Sequence, residues 1–351
     1  MHINPENYTR LVQGNQIESV AIRDQDGLEA VLCGYGARLV SLSAPDGAGG
    51  VFDAVLGYPD LSGYLAESPE MGAVAGRFAG RIAKGRFKLG EKIYSLAQNE
   101  GANHLHGGFG GTMRRIFGVY QEKEDEAVFR ARLADGEDGY PGNLDLAITY
   151  SLPGEGRLRI AIVASTDKPT PVNLVSHAYF NLSSDETIDE HYLEIRARRY
   201  APVGPDMIPL GVLAPVEGTP FDFIAPARLG ERMGSGDRQL LYGHGFDHTF
   251  ALDKSSVPNK YGESLAAVLT VPGLKRRLEV WTTEPALQLY TGNNLGRGRL
   301  PGRRPLVKRA GVCLEAQRFP DSPNQAAFPE SVITPGKPMH SSTSLVFGTG
   351  R

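Results

Sequence analysis

Glycine and proline break this chain, from end to end, into short runs that alternate apolar and polar residues. A strand points successive side chains to opposite faces, so such runs read as half-buried strands. Residues 158–162, Leu-Arg-Ile-Ala-Ile, carry a branched apolar residue at every second position. Comparable runs cover residues 17–22, 30–32, 37–42, 127–133, 144–151, 191–197, 265–271 and 278–281. Asp26-Gly27 and Pro153-Gly154 lie between runs as turn signals. Helical periodicity is confined to short stretches near 59–65 and 226–233. With 43 glycines and 24 prolines in 351 residues, the prediction is an all-β fold, a large antiparallel sandwich or barrel.

Length alone suggests about two domains, but large β-folds run long as one. No linker divides the sequence and no repeat of fixed period stands out, so a single domain over 1–351 is expected. Residues 44–50 and 253–262 read as surface loops. The net charge of −3 gives no electrostatic reason for a nucleic-acid or anionic-membrane partner. No stretch has the apolar length of a membrane span. The opening MHINPENYTR has neither the basic nor the apolar region of a signal peptide, so a cytoplasmic location is expected. Cys33 and Cys313 belong to no C-x-x-C pair and are expected to be reduced and unpaired.

Three distant stretches, 103–108, 173–182 and 311–317, place polar side chains in strand-like settings. In the third, Cys313, Glu315 and Gln317 share one face, and Val312, Leu314 and Ala316 the other. An acid in an apolar strand is costly unless hydrogen-bonded or turned to a cleft. A cleft carboxylate beside a histidine can move protons. His177, Tyr179 and Asn181 likewise share a face, as a cleft lining or as satisfied core groups. Gln288 and Tyr290 repeat the pattern.

Other polar groups admit two readings each. Arg77 and Arg81, four apart, are two solvated arginines or a guanidinium fork for ligand oxygens. His104 and His106, two apart, point the same way on an extended backbone and form half of a metal site if His244, Asp247 and His248 complete it. The glycines after His106 permit close backbone approach to a ligand, but no Walker loop is present. Asp247 fits an Asx-turn. Residues 297–309 hold Arg297, Arg299, Arg303, Arg304, Lys308 and Arg309, either a solvated loop or a phosphate grip.

Taken in order and spacing, the motifs at 34–39, 53–58, 76–83, 105–108, 176–182, 288–293, 314–317, 320–324 and 334–336 resemble the aldose 1-epimerases, or galactose mutarotases. The resemblance runs from about 17 to 347. It implies a single large β-sandwich and an isomerase acting on free hexoses such as galactose and glucose, without a cofactor or metal. It makes Glu315 the catalytic base and His177 the catalytic acid, and puts Arg81, His106, Asp247 and Gln288 around the sugar. The expected partner is a monosaccharide, and the expected state a monomer or weak homodimer. Two positions depart from the family pattern: Ser176 where asparagine is usual, and Phe117 where tryptophan is usual. Three rivals stand beside this reading. They are a hexose 6-phosphate 1-epimerase using the 297–309 cluster, a non-catalytic sugar-binding protein on the same fold, and a metal-dependent sugar isomerase using His104 and His106.

Overall fold

Alternation becomes architecture in the strand Arg157–Thr166, where Leu158, Ile160, Ile162 and Ala164 are buried and the residues between them are more exposed. The computed structural model describes residues 3–349 except 13, 47–48, 67–69 and 297–301. Arg157–Thr166 belongs to a nine-stranded antiparallel sheet. Its order is Gly118–Lys123, Glu126–Leu133, Leu144–Ser151, Arg157–Thr166, Met339–Thr349, Arg276–Thr282, Ser264–Val271, Tyr192–Ile195 and Ala227–Arg228. Met339–Thr349, the last strand in sequence, lies in the middle, paired on both sides.

A second antiparallel sheet has five strands, in the order Ala214–Pro215, Arg199–Ala201, Asp247–Ala251, Ala286–Tyr290 and Cys313–Gln317. On one face, Phe250, Leu287, Leu289, Leu314 and Ala316 join Ile160, Ile162 and Leu345 of the large sheet in one apolar core. Burying each large aliphatic side chain contributes roughly 1.5–3 kcal/mol. That core fixes which way the five-stranded sheet faces, and so commits its other face to the cleft. A four-stranded sheet, Ser19–Arg23 through Val51–Asp53, completes the main strand pairings.

Three short α-helices occur among the described residues: Leu61–Ala66, Leu229–Met233 and Arg238–Gly243. The first two fall where the sequence predicts them. The third is started by Asp237, whose carboxylate accepts from the Gln239 N–H at 2.7 Å. Six residues are too few for a helical period to show.

Several local expectations are corrected. Arg77 and Arg81 do not share a strand, because the strand there is only Arg81–Ile82. Arg77 is neither solvated nor a ligand group. It is buried, and donates to the Pro141 and Gly142 carbonyls at 2.9 Å each. Asn181 is a core group that donates to Asp185 O and Ala310 O. Arg303 reaches inward to Asp53 and the Val40 carbonyl, both at 2.7 Å. Arg304 donates to the Ser183 carbonyl at 2.8 Å, and Arg309 pairs with Asp189 at 2.9 Å. Arg303 and Arg304 tie chain segments together rather than gripping a ligand phosphate, while Lys308 is exposed and Arg309 is half-buried. Arg297 and Arg299 lie outside the described residues. Cys33 and Cys313 are buried and free.

Candidate active site

The register of the five-stranded sheet lays three rows of side chains across the face turned from the core. They are Asp247–Tyr290–Cys313, Thr249–Gln288–Glu315 and Ala251–Ala286–Gln317. Directly opposed residues on antiparallel strands keep their side chains in contact range. From these rows Asp247, Tyr290, Thr249, Gln288, Glu315 and Gln317 form the floor of a cavity of about 300 Å³, which His177, Arg81 and His106 also line. The structure therefore brings together all six residues singled out from the sequence.

The walls come from loops anchored by backbone. The His177 N–H donates to the Ala73 carbonyl at 2.8 Å. Arg81 sits on a two-residue strand paired with His104–Leu105. His106 then turns with φ 50°, and Gly107 follows at φ 85°. A Cβ on Gly107 would meet the Gly76 carbonyl oxygen at 1.9 Å, so glycine is required there. The close approach is to the protein's own backbone.

That turn also separates the two histidines. His104 is buried, with its ring nitrogens 2.7 Å from the Ala97 carbonyl and the Tyr140 hydroxyl. His106 enters the cavity. His248 is buried and accepts from the Asp247 N–H, while His244 is exposed. The set His104, His106, His244, Asp247 and His248 is thus not assembled as metal ligands. Among the described residues, the cluster with ligand-like spacing is His177, Cys313 and Glu315, within 4.8 Å of one another.

Glu315 and His177 face each other, with Oε1 3.7 Å from Nε2. Glu315 is only 3% exposed, and burial pushes its carboxyl up to about 7. The positive charge available on His177 and the Arg81 guanidinium oppose that rise, and Asp247 adds to it. His177 stacks on Tyr179 with ring centres 5.2 Å apart. Its Nδ1 lies 3.5 Å from the Cys313 sulfur. Burial, then the negative charge on Glu315, hold that thiol protonated. When the imidazole is neutral, the thiol is the donor to Nδ1, and the ring proton sits on Nε2 facing Glu315.

A polar chain runs along the other side. Arg81 donates two hydrogen bonds of 2.6 Å to Glu100 and one of 3.4 Å to Asp247. The other Asp247 oxygen accepts from the Gln288 amide at 2.6 Å, and Thr249 donates to the Gln288 carbonyl oxygen. Asp247 is therefore held by side chains, not spent on an Asx-turn. His106 Nδ1 accepts from the Gly80 N–H at 3.2 Å, which puts its proton on Nε2. Burial, with the His177 and Arg81 charges nearby, keeps His106 neutral.

Sequence reasoning missed Glu100 and Thr249. Thr249 lies two residues after Asp247, and alternation along that strand would have found it. Glu100 sits in an irregular turn, and only the folded chain brings it to Arg81. The assembled groups suit a compact, neutral, many-hydroxyl ligand: a base, an acid, a fixed cation and several directed donors.

The family described as aldose 1-epimerase matches residues 18–346. The galactose mutarotase of Mus musculus is 41% identical over 338 residues, covering 95% of both chains. The aldose 1-epimerase of Escherichia coli (strain K12) is 34% identical over 337 residues, covering 95% of this chain and 96% of that one. The solved galactose 1-epimerase from Lactobacillus acidophilus NCFM aligns with a TM-score of 0.84 at 29% identity, covering 98% of each chain.

Proposed function

The chain belongs to the aldose 1-epimerase family of isomerases, and on that premise we propose that it interconverts the α and β anomers of free hexoses such as D-galactose and D-glucose, with Glu315 as base and His177 as acid. The observation that carries the assignment is the buried pair of Glu315 Oε1 and His177 Nε2, 3.7 Å apart at the cavity floor. In ring opening, the Glu315 carboxylate takes the proton of the C1 hydroxyl while the His177 imidazolium gives its Nε2 proton to the ring oxygen and becomes neutral. The bond from C1 to the ring oxygen breaks and the C1 carbonyl forms. Rotation about C1–C2 presents the opposite carbonyl face. Closure returns the ring hydroxyl proton to His177 and the Glu315 proton to O1, so the enzyme ends as it began.

A general acid and a general base of this kind each contribute ~10²–10⁴-fold. A carboxyl near 7 suits a base working close to neutrality. Arg81, Asp247, Gln288 and the Nε2–H of His106 hold hydroxyls farther round the ring and limit the sugar to reactive orientations. The protein's part is proton transfer alone, which calls for no metal or organic cofactor.

We further place the substrate as a free monosaccharide and the protein in the cytoplasm as a monomer or weak homodimer. No helix among the described residues is long and apolar enough to cross a membrane. Polarimetry of freshly dissolved α-D-galactose, with and without the protein and with EDTA, tests the assignment. Acceleration that survives EDTA is expected; a rate equal to the spontaneous one, or one restored only by added metal, overturns it. Parallel rates on glucose 6-phosphate test the phosphosugar alternative, which the internally engaged Arg303, Arg304 and Arg309 do not favour.

A further inference from the structure

Gln317 lines the same cavity as Glu315 and is 1% exposed. Neither its amide nitrogen nor its carbonyl oxygen meets a protein hydrogen-bond partner. Its cross-strand neighbour is Ala286, and Ala251 completes the row, so nothing beside it on the floor can satisfy the amide. A buried polar side chain with no partner is uncommon, and one turned into a ligand cavity is accounted for when the ligand completes it.

The strand's geometry says which part of the ligand that is. Successive same-face residues are two strand steps apart, roughly 6.5 Å. Along the strand Cys313–Gln317 the order of groups is Cys313 with His177 against it, then Glu315, then Gln317. In the proposed reaction the ring oxygen lies at His177 and O1 at Glu315. A pyranose continues in the same sense, from the ring oxygen through C1 to C2. We propose that Gln317 is a specificity-determining residue that hydrogen-bonds the hydroxyl on C2 of the sugar, so that the site selects 2-hydroxy over 2-deoxy aldoses. A carboxamide offers a donor and an acceptor, and a hydroxyl uses both. This inference rests on the epimerase reading above, because that reading orients the ring.

The test compares kcat/KM for D-galactose and 2-deoxy-D-galactose, each corrected for its spontaneous rate, in the wild type and in Gln317→Leu. A site with a buried group awaiting a hydroxyl discriminates strongly against the analogue that lacks it. The wild type is expected to prefer galactose by about tenfold or more, the worth of one such hydrogen bond. Gln317→Leu should lose about that factor on galactose and little on the 2-deoxy sugar, bringing the ratio close to one. If the leucine variant does not fold, Gln317→Met supplies an unbranched apolar replacement with the same expectation. A wild type that handles the two sugars alike, or a variant that loses equally on both, overturns the inference and leaves the epimerase reading standing. A wild type inert on both sugars overturns that reading, and the inference falls with it.

Discussion

The strands Arg157–Thr166 and Cys313–Gln317 pack against each other's sheets, yet they use alternation to opposite ends. In Arg157–Thr166 one face is core and the other is comparatively exposed, the ordinary division of a half-buried strand. In Cys313–Gln317 every residue is buried. Leu314 and Ala316 join the core, while Cys313, Glu315 and Gln317 are polar and covered by the cleft walls. The first strand spends its whole sequence on stability. The second holds an acid whose charge is disfavoured where it sits, and an amide with no protein partner. Function is concentrated where the fold is least relaxed.

The largest expected effect separates the two regions directly. Glu315→Gln should lower kcat by ~10²–10⁴-fold, because the amide cannot take the C1 hydroxyl proton while galactose still fits. Stopped-flow polarimetry and calorimetric binding check both halves; near-normal kcat in the folded variant would remove the base assignment. Ile160→Ala in the large sheet should do the reverse, costing about 2–5 kcal/mol of stability while kcat per folded molecule holds. Urea denaturation with parallel kinetics decides, and loss of kcat in the folded fraction would show that the two regions are not separable.

Glu315→Gln also sharpens the comparison from the stability side. The folded carboxyl titrates at about 7 against an ordinary 4.5, so the unfolded chain releases that proton first as pH rises. Stability is therefore lost between those values, and above 7 the penalty is complete, roughly 3 kcal/mol. The glutamine variant should melt higher than the parent at pH 8 and about level with it at pH 4; a variant melting lower at pH 8 would contradict the buried-charge account.

Smaller effects follow for the wall. Glu100→Gln removes the charge that holds Arg81 in a two-bonded fork, and should raise KM several-fold with a lesser effect on kcat. An unchanged KM would mean that Asp247 alone positions the guanidinium. In the wild type, activity should fall as pH drops through about 7, where Glu315 gains its proton. Asp247 raises that carboxyl, so Asp247→Asn should move the acid limb to lower pH. An upward movement would assign the limb to a different group.

The floor of the site was legible in the sequence because it is built from regular strands. Alternation alone put Glu315 and Gln317 on one face and Gln288 beside Tyr290, and the family resemblance supplied the roles. What misled was applying the same rule to irregular segments. Arg77 with Arg81, and His177 with Asn181, were paired as if they lay on strands, but the strands there are two residues long. Arg303 and Arg304 looked solvent-bound because composition does not report depth. Arg303 and Arg304 are held by backbone carbonyls from distant segments, which no local pattern encodes.

The central position of Met339–Thr349 in the large sheet bears on how the chain is made. Ribosomal synthesis delivers that strand after every other strand described, yet it is the one that joins Arg157–Thr166 to Arg276–Thr282. Until it arrives, those two neighbours each present an unpaired edge, and an unpaired edge is a template for a foreign strand. Pairings this distant in sequence also form slowly. The large sheet is therefore two half-sheets that only Met339–Thr349 joins.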